Sequence, residues 1–332
     1  MRLLIVLPGA IGDVVRALPL LGRIRRGMPD AHIAWVVEPP SAPVLQGHPW
    51  LDEVRVLRRR DGAGAIAAFI GSLRGERWDI ALDLGRGIKS ALLARASGAP
   101  DRLGFARVDS REGAWLFATR HLAPQGVERP KLEQFLAFGD LVGCPPESIE
   151  FGLVPTPQEE AQGEALLAGL RRPVIAVCVG SSCPSRRWFP DRTAAVVNRL
   201  GEQTGGGAVL LGTAADAAFG AAVARACTVP VRDLIGRTSL RQLIAVLARS
   251  SLAFGPDSGA LHLAAAVGAP VVSLWGATSA QRSTPFAWER LVVEGSAPCA
   301  PCFLRDCPIG RICMRSIDAE RVIDLALPEV AA

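Results

Sequence analysis

Short apolar runs alternate with amphipathic segments along the first half of the chain. Four runs have the length and the β-branched content of strands, and apolar residues follow helical spacing from 14 to 26 and from 66 to 73. The strand runs are RLLIVL (2–7), HIAWVVE (32–38), EVRVL (53–57) and WDIALDL (78–84). Strands that alternate with helices are typical of a parallel sheet with crossover helices. The pattern therefore predicts a doubly wound α/β domain.

A proline-rich stretch, PPESIEFGLVPTPQEE (145–160), interrupts this pattern and is typical of a linker between domains. The alternation then restarts, with helical spacing from 192 to 203, from 240 to 249 and from 318 to 327. The strand runs of this half are PVIAVCVG (173–180), GAVLLG (207–212), LAFGP (252–256) and APVVSLWG (269–276). A chain of 332 residues also exceeds the usual size of a single core, which again favours two domains.

These patterns predict an α/β protein with two doubly wound domains. The predicted boundaries are residues 1–152 for the first domain, 170–315 for the second, and 316–332 for a closing helix and tail. Ligands of doubly wound sheets bind at the carboxyl ends of the strands. We therefore expect the ligand site in a cleft between the two domains.

The turn after the first strand run carries a carboxylate, which would repel phosphate. Its sequence, GAIGD, places Gly9 and Gly12 as G-x-x-G and lacks the G-x-G-x-x-G of dinucleotide-binding turns. Glu38 ends the second strand run, where a ribose-binding acid would stand, so a nicotinamide-dependent oxidoreductase is an alternative. Asp13 either caps its helix, a contribution of about 0.5–2 kcal/mol, or accepts a proton from a hydroxyl group.

The segment GPDSGALH (255–262) has the features of an anion-binding helix start. Asp257 and Ser258 follow a strand run, and Gly259 lets a ligand approach the backbone. The first amides of a helix and the positive end of its dipole bind anions. His262 lies one turn further on the same face, where it is placed to bind or protonate phosphate oxygens. The alternative is that Asp257 and Ser258 only cap the helix and that His262 packs against its neighbours.

A second basic loop follows the strand run that ends at Gly180. It reads SSCPSRRWFP (181–190) and carries Arg186 and Arg187. Two guanidinium groups on a strand-end loop suit a diphosphate, whose negative charge grows as it leaves. The alternative is a surface loop with ordinary basic residues.

Three segments together resemble the motifs of glycosyltransferase family 9, the heptosyltransferases of lipopolysaccharide core synthesis. They are GAIGDVVRALPLL (9–21), SRRWFP (185–190) and GPDSGALHLAAAVGAPVVSLWG (255–276), in the order and approximate spacing of the family. The resemblance implies a GT-B fold, with two Rossmann-like domains that face each other across a cleft. It also implies inverting, metal-independent transfer of a heptose from ADP-heptose, or a similar nucleotide sugar, to a lipopolysaccharide inner-core or other lipid-linked acceptor.

The resemblance also implies roles for individual residues. Asp13 would be the general base, on an acceptor-side loop that contains Gly9 and Gly12. Arg186 stands where the family usually has lysine, and Phe189 departs from the family pattern by separating Trp188 from the proline. The residues expected to bind the donor are Arg186, Arg187, Thr238, Ser239, Asp257, Ser258, Gly259 and His262. The first domain would then bind the acceptor and the second the nucleotide sugar.

Four of the eight cysteines cluster in CAPCFLRDCPIGRIC (299–313), which we call the cysteine segment. In a cytoplasmic protein, such clustering favours metal binding over disulfides. Four thiolates would satisfy a structural zinc ion or an iron–sulfur cluster, and reduced thiols in a proline-rich loop are the alternative. The candidate ligands are Cys299, Cys302, Cys307 and Cys313.

Charge and composition bear on the partners and the location of the protein. The net charge is +5, and the basic residues are arginines except for Lys89 and Lys131. Basic stretches such as RVLRRR (55–60) suit peripheral contact with an anionic membrane, so we expect a cytoplasmic protein, at the inner face of the inner membrane. Nucleic-acid binding is not expected, because aromatic residues do not interleave with the basic ones. The alternatives to the transferase are an NAD-linked oxidoreductase and a non-catalytic nucleotide-sugar-binding protein of the same fold.

Overall fold

Two six-stranded sheets organise the chain in a computed structural model that describes residues 1–331. Within that range, residue contacts divide the chain into two units, Met1–Leu153 and the remainder from Val154 onward. The division falls inside the proline-rich stretch. That stretch is shorter than the sequence pattern indicates, because a helix already begins at Pro157 and is capped by Thr156 and Glu159 in a reciprocal capping box.

The first unit alternates strands and helices from its first residues. Its strands are β1 (Arg2–Val6), β2 (His32–Val37), β3 (Glu53–Val56), β4 (Ile80–Asp83), β5 (Asp101–Gly104) and β6 (Arg120–His121). Its helices are α1 (Ile11–Gly27), α2 (Ala42–Leu45), α3 (Ala63–Arg74), α4 (Ile88–Ala96) and α5 (Lys131–Leu141). Every strand pairing is parallel, and the strand order is β3-β2-β1-β4-β5-β6.

The second unit repeats this plan. Its strands are β7 (Val174–Cys178), β8 (Gly207–Leu211), β9 (Val231–Asp233), β10 (Leu252–Pro256), β11 (Val271–Trp275) and β12 (Val292–Glu294). Its helices are α6 (Pro157–Leu167), α7 (Pro190–Thr204), α8 (Ala217–Ala226), α9 (Leu240–Ala248), α10 (Gly259–Ala266), α11 (Ala280–Ser283), α12 (Ile312–Arg315) and α13 (Ala319–Ala331). The sheet is again wholly parallel, in the order β12-β11-β10-β7-β8-β9.

Both sheets reverse their winding direction once. The chain moves outward from β1 to β3 and then returns to the other side of β1 with β4; β7 and β10 show the same reversal in the second unit. The crevice at such a reversal, at the carboxyl ends of the strands, is where doubly wound sheets bind ligands. The predicted class of two doubly wound, Rossmann-like α/β domains is confirmed.

The central strands are buried on both faces, as their continuous apolar sequences require. In β1, β7, β10 and β11 almost every residue is buried, and each unit has its own apolar core. The predicted helices from 14 to 26, 66 to 73, 192 to 203, 240 to 249 and 318 to 327 correspond to α1, α3, α7, α9 and α13. No helix within residues 1–331 has the length and apolar character needed to cross a bilayer.

Candidate functional site

The turn between β1 and α1 presents Asp13 at the winding reversal of the first sheet. Asp13 is the third residue of α1, and the residue at the cap position is Ala10, so helix capping does not explain the aspartate. Its Oδ1 atom forms ion pairs with Arg16, at 2.6 Å, and with Lys131, at 2.9 Å. The side chain is 28 % exposed, which leaves it accessible to a ligand. Its neighbour Gly9 accepts a hydrogen bond from the Ser41 hydroxyl, at 2.9 Å.

The packing of α5 on α1 brings Lys131 to Asp13 across 118 residues of sequence. The buried Arg23 of α1 ties the two helices together, because its guanidinium donates hydrogen bonds to the carbonyl of Leu136 and to the carboxylate of Asp140. Lys131 is the first residue of α5. The start of α5, and with it Lys131, is therefore positioned by contacts that Arg23 makes further along the same helix.

These two cations control the ionisation of Asp13. Burial alone would raise the pKa of the carboxyl group, but Arg16 and Lys131 outweigh burial and hold that pKa well below its usual range. Asp13 is therefore an anion at any physiological pH. An accessible carboxylate at a strand-end crevice can accept a hydrogen bond, and then a proton, from a hydroxyl group.

A second carboxyl group, that of Asp83, ends β4 on the other side of this reversal. Val6 of β1 and Asp83 are register partners. Burial raises the pKa of Asp83 to about 7, although its carboxyl group accepts hydrogen bonds from the Gly85 amide and from Ser90. The acid proposed for ribose binding, Glu38, instead pairs with Arg59 at 3.0 Å.

In the second unit, the loop after β7 carries two arginines to the reversal between β7 and β10. We call residues 181–187 the arginine loop. Arg186 pairs with Asp257 at 2.9 Å, and Arg187 pairs with Asp216 at 2.8 Å. Asp216 approaches the end of β7 so closely that a Cβ atom on Gly180 would lie 2.5 Å from its Oδ2 atom, which explains the glycine. The Nε atoms of both arginines are buried and have no hydrogen-bond acceptor within the described residues.

Asp257 organises the end of β10. Its carboxylate accepts a hydrogen bond from the Thr278 hydroxyl at 2.8 Å and pairs with Arg186, while its carbonyl accepts one from Ser181 at 2.9 Å. Loops that follow β7, β10 and β11 are thus connected through one residue. Asp257 therefore orients the arginine loop, and it does not cap α10.

Ser258 occupies the cap position of α10, but its hydroxyl does not cap the helix. The Oγ atom is buried and has no hydrogen-bond partner in the part of the chain that the structure describes. Gly259 is the first helical residue, and His262 lies buried in the first turn, so its role toward phosphate stays a prediction. An unused hydroxyl, a helix N-terminus and two arginine Nε donors together form an arrangement that suits an anionic ligand.

Ser239 differs from Ser258. Its hydroxyl accepts a hydrogen bond from the Gln242 amide at 3.2 Å, and Gln242 bonds back to the Ser239 amide, so Ser239 caps α9 in a capping box. Thr238 precedes this cap in the loop after β9. A role for this pair near a nucleoside stays a prediction.

The cysteine segment shows no arrangement suited to a metal ion. Within residues 1–331, no group of three or more histidine, cysteine, aspartate or glutamate side chains could hold one. The four thiols are free, and Cys307 accepts a hydrogen bond from the Arg311 amide at 3.1 Å. The predicted zinc or iron–sulfur site, with Cys299, Cys302, Cys307 and Cys313 as ligands, is therefore not supported.

The comparison with known sequences decides the family. The pattern of glycosyltransferase family 9 (heptosyltransferase) matches residues 66–313, about three quarters of the chain. The chain belongs to glycosyltransferase family 9. It is therefore a glycosyltransferase, and the oxidoreductase and non-catalytic alternatives are not retained. The lipopolysaccharide core heptosyltransferase OpsX of Haemophilus influenzae is 24 % identical over 279 residues, which cover 83 % of this chain and 79 % of that relative.

Solved structures show the same fold for the family 9 chain. A glycosyltransferase of family 9 from Veillonella parvula superimposes with a TM-score of 0.86 and 20 % identity, covering 99 % of this chain and 97 % of that one. The ADP-heptose lipopolysaccharide heptosyltransferase II of E. coli superimposes with a TM-score of 0.80 and 22 % identity, over 100 % and 99 % of the two chains. The fold of the family 9 chain is accordingly GT-B, with two Rossmann-like domains.

Proposed function

We propose that this family 9 chain transfers a heptose from ADP-heptose, or a closely related nucleotide sugar, to a lipopolysaccharide inner-core or other lipid-linked acceptor. The first unit would bind the acceptor and the second the donor. The relatives' names support the substrates, since one acts in lipopolysaccharide core synthesis and another is an ADP-heptose transferase. We further propose that the reaction takes place at the cytoplasmic face of the inner membrane.

One observation carries the donor assignment: the arginine loop and the start of α10 gather unused hydrogen-bond donors at the β7–β10 reversal. The donors are the Nε atoms of Arg186 and Arg187 and the hydroxyl of Ser258. In the proposed complex the diphosphate contacts the guanidinium groups of Arg186 and Arg187, whose side chains are 25 % and 28 % exposed, with Ser258, His262 and the first amides of α10 beside it. A diphosphate accepts hydrogen bonds on several oxygens at once, and guanidinium groups match that geometry.

The proposed chemistry is a single displacement with inversion. The acceptor hydroxyl oxygen forms a bond to C1 of the heptose, while the bond from C1 to the β-phosphate oxygen breaks and its electron pair leaves with ADP. The hydroxyl proton passes to the carboxylate of Asp13. The departing diphosphate gains negative charge, which the arginine loop and α10 stabilise. We propose that no metal ion is needed, because Arg186 and Arg187 supply the positive charge.

Substitution of Asp13 by asparagine tests the base. Asparagine keeps the size and a hydrogen-bond acceptor but cannot take the proton, so transfer should fall by about 10²–10⁴-fold. Donor binding, measured by calorimetry with ADP, should stay within about threefold of the unsubstituted chain. An equal loss of ADP binding and of turnover would instead assign Asp13 to donor binding or to structure.

Substitution of Arg187 by methionine is the matched test of the donor site. It should weaken ADP binding by about tenfold or more, because a charge-assisted contact is lost. The Asp13→Asn and Arg187→Met variants should thus differ, one in turnover and the other in ADP affinity. Unchanged ADP affinity in Arg187→Met would move the donor away from the arginine loop.

A further inference from the structure

The cysteine segment lies directly against the arginine loop. The buried Ser185 donates hydrogen bonds from its amide to the carbonyl of Arg305, at 3.1 Å, and from its hydroxyl to the carbonyl of Leu304, at 2.5 Å. In return, the Arg305 guanidinium donates to the carbonyl of Ser182 at 3.2 Å. Three hydrogen bonds therefore connect the arginine loop to a segment that lies more than a hundred residues away in sequence.

Arg311 contacts the backbone at Arg187, the last residue of the arginine loop. Its guanidinium donates hydrogen bonds to the carbonyl of Arg187, at 2.8 Å, and to the carbonyl of Trp188, at 3.3 Å. The same group lies over the ring of Phe189, 4.6 Å from its centroid. Because a guanidinium is planar, stacking on the ring restricts the directions in which its N–H groups point.

The backbone at Arg311 is itself constrained. Arg311 has a φ of 57°, in the left-handed region that only a few per cent of non-glycine residues adopt. Its amide donates to the Cys307 sulfur at 3.1 Å. This cysteine therefore has a structural partner in the described residues, and its contact fixes the conformation from which the Arg311 side chain reaches the loop.

We propose that Arg311 is a positioning residue for the donor diphosphate, which sets the orientation of Arg187 at the end of the arginine loop by holding the carbonyls of Arg187 and Trp188. This inference rests on the proposed function, since it assumes that the arginine loop binds the diphosphate. It gives the cysteine segment a role that needs no metal. It also gives a role to Phe189, the residue that departs from the family pattern, as the surface on which Arg311 is oriented.

The chain contains a matched control for Arg311. The Arg315 guanidinium stacks on the same ring, 4.8 Å from its centroid, but its side chain has no hydrogen bond to the arginine loop in the described residues. If stacking on Phe189 were the whole role of these arginines, the two positions would be equivalent. If the carbonyl contacts matter, only Arg311 affects the donor.

The test compares Arg311→Met, Arg311→Lys and Arg315→Met in the full chain, with calorimetry of ADP binding and steady-state kinetics. Arg311→Met should weaken ADP binding about tenfold and raise the donor KM similarly, with the acceptor KM unchanged. Arg311→Lys keeps one donor and should recover binding to within about threefold, and Arg315→Met should bind ADP as the unsubstituted chain does.

Equal ADP affinities for Arg311→Met and Arg315→Met would overturn the inference. If Arg311→Met does not fold, Arg311→Gln provides the test, because its shorter amide cannot reach both carbonyls: ADP binding weaker than that of Arg315→Met supports the inference, and equal binding rejects it. A failure of the proposed function would give a different set of results from a failure of this inference. In that case the unsubstituted chain would not bind ADP, or Arg187→Met would bind it normally.

Discussion

At the scale of single residues, the two cations on Asp13 have opposing consequences for a general base. They keep the carboxylate ionised, which a base requires, but a lowered pKa also makes it a weaker proton acceptor. The Arg16 side chain is 9 % exposed, whereas that of Lys131 is 27 % exposed. Lys131 is therefore the more solvent-accessible of the two cations, and its removal should change the pKa of Asp13 with less disturbance of the surrounding packing.

Substitution of Lys131 by methionine should change the pH dependence of turnover. Without this cation the pKa of Asp13 rises toward its usual value, so a larger fraction of the carboxyl group is protonated on the acid side. The acid limb of kcat should move to higher pH, and Lys131→Arg should leave it in place. The measurement is kcat against pH at saturating substrates. An unmoved limb in Lys131→Met would show that Lys131 does not govern the base.

The raised pKa of Asp83 predicts that the free energy of unfolding falls as the pH rises. Its folded-state pKa of about 7 lies above the unfolded value, so the native state holds a proton that the unfolded state releases. This contribution to stability is complete below the unfolded pKa and is lost as pH rises toward the folded one. Asp83→Asn removes the titration and should gain stability relative to the unsubstituted chain between about pH 5 and pH 8, on the order of 2 kcal/mol.

Denaturant unfolding at both pH values measures this difference. Asp30→Asn is the control, because Asp30 is exposed. Its stability curve should run parallel to that of the unsubstituted chain. A parallel curve for Asp83→Asn as well would mean that Asp83 is ionised in the folded protein throughout this range.

At the scale of elements, two serines that both occupy helix cap positions have different tasks. Ser239 caps α9 through a reciprocal pair with Gln242, whereas the buried hydroxyl of Ser258 at α10 has no partner in the described residues. Ser239→Ala should therefore lower the free energy of unfolding by about 1 kcal/mol. Ser258→Ala should leave it within about 0.5 kcal/mol, because no hydrogen bond is broken.

Ligand affinity should show the reverse order for these two variants. Ser258→Ala should weaken ADP binding by about three- to tenfold, and by more than Ser239→Ala does, because the Ser239 hydroxyl is already bonded to the Gln242 amide. Denaturant unfolding and calorimetry with ADP separate the two effects. A stability loss in Ser258→Ala as large as that in Ser239→Ala would show that Ser258 is a cap after all.

The elements also show what the sequence pattern could predict. Runs such as those of β1 and β7 are apolar throughout because both faces are buried, and this pattern identifies them without a structure. The strands β5, β6, β9 and β12 escaped prediction, since they have two to four residues and mixed composition. Their strand character comes from pairing with an existing sheet, which is a tertiary effect.

At the scale of the whole molecule, each unit has a complete sheet and its own core. All residues proposed to contact the donor lie in the second unit, from Val154 onward. A fragment that starts at Val154 should therefore fold cooperatively and bind ADP within about tenfold of the full chain, without catalysing transfer. Circular dichroism and calorimetry test this. A folded fragment with no ADP affinity would show that the first unit contributes to donor binding.

Of the residues in the candidate site, only those that directly follow a strand could be predicted from the sequence. Asp13, Arg187 and Ser258 follow apolar runs, and that position alone indicates function in a doubly wound sheet. Most of the partners that were missed lie far away along the chain: Lys131 is 118 residues from Asp13, whereas Arg16 is an i,i+3 neighbour that was also missed. Asp216 and Thr278 likewise come from other strand-end loops. No local pattern relates such residues, since only the packing of the elements brings them together.

The contact between Lys131 and Asp13 also allows the surroundings of Asp13 to be followed by chemical labelling. The chain has two side-chain amines in all, at Lys89, which is exposed, and at Lys131. A reagent that acylates amines would therefore modify Lys89 as an internal reference and Lys131 as a probe placed 2.9 Å from the Asp13 carboxylate. The ratio of the two labels, read by mass spectrometry of peptides, reports whether the position beside Asp13 is occupied, without any measurement of turnover.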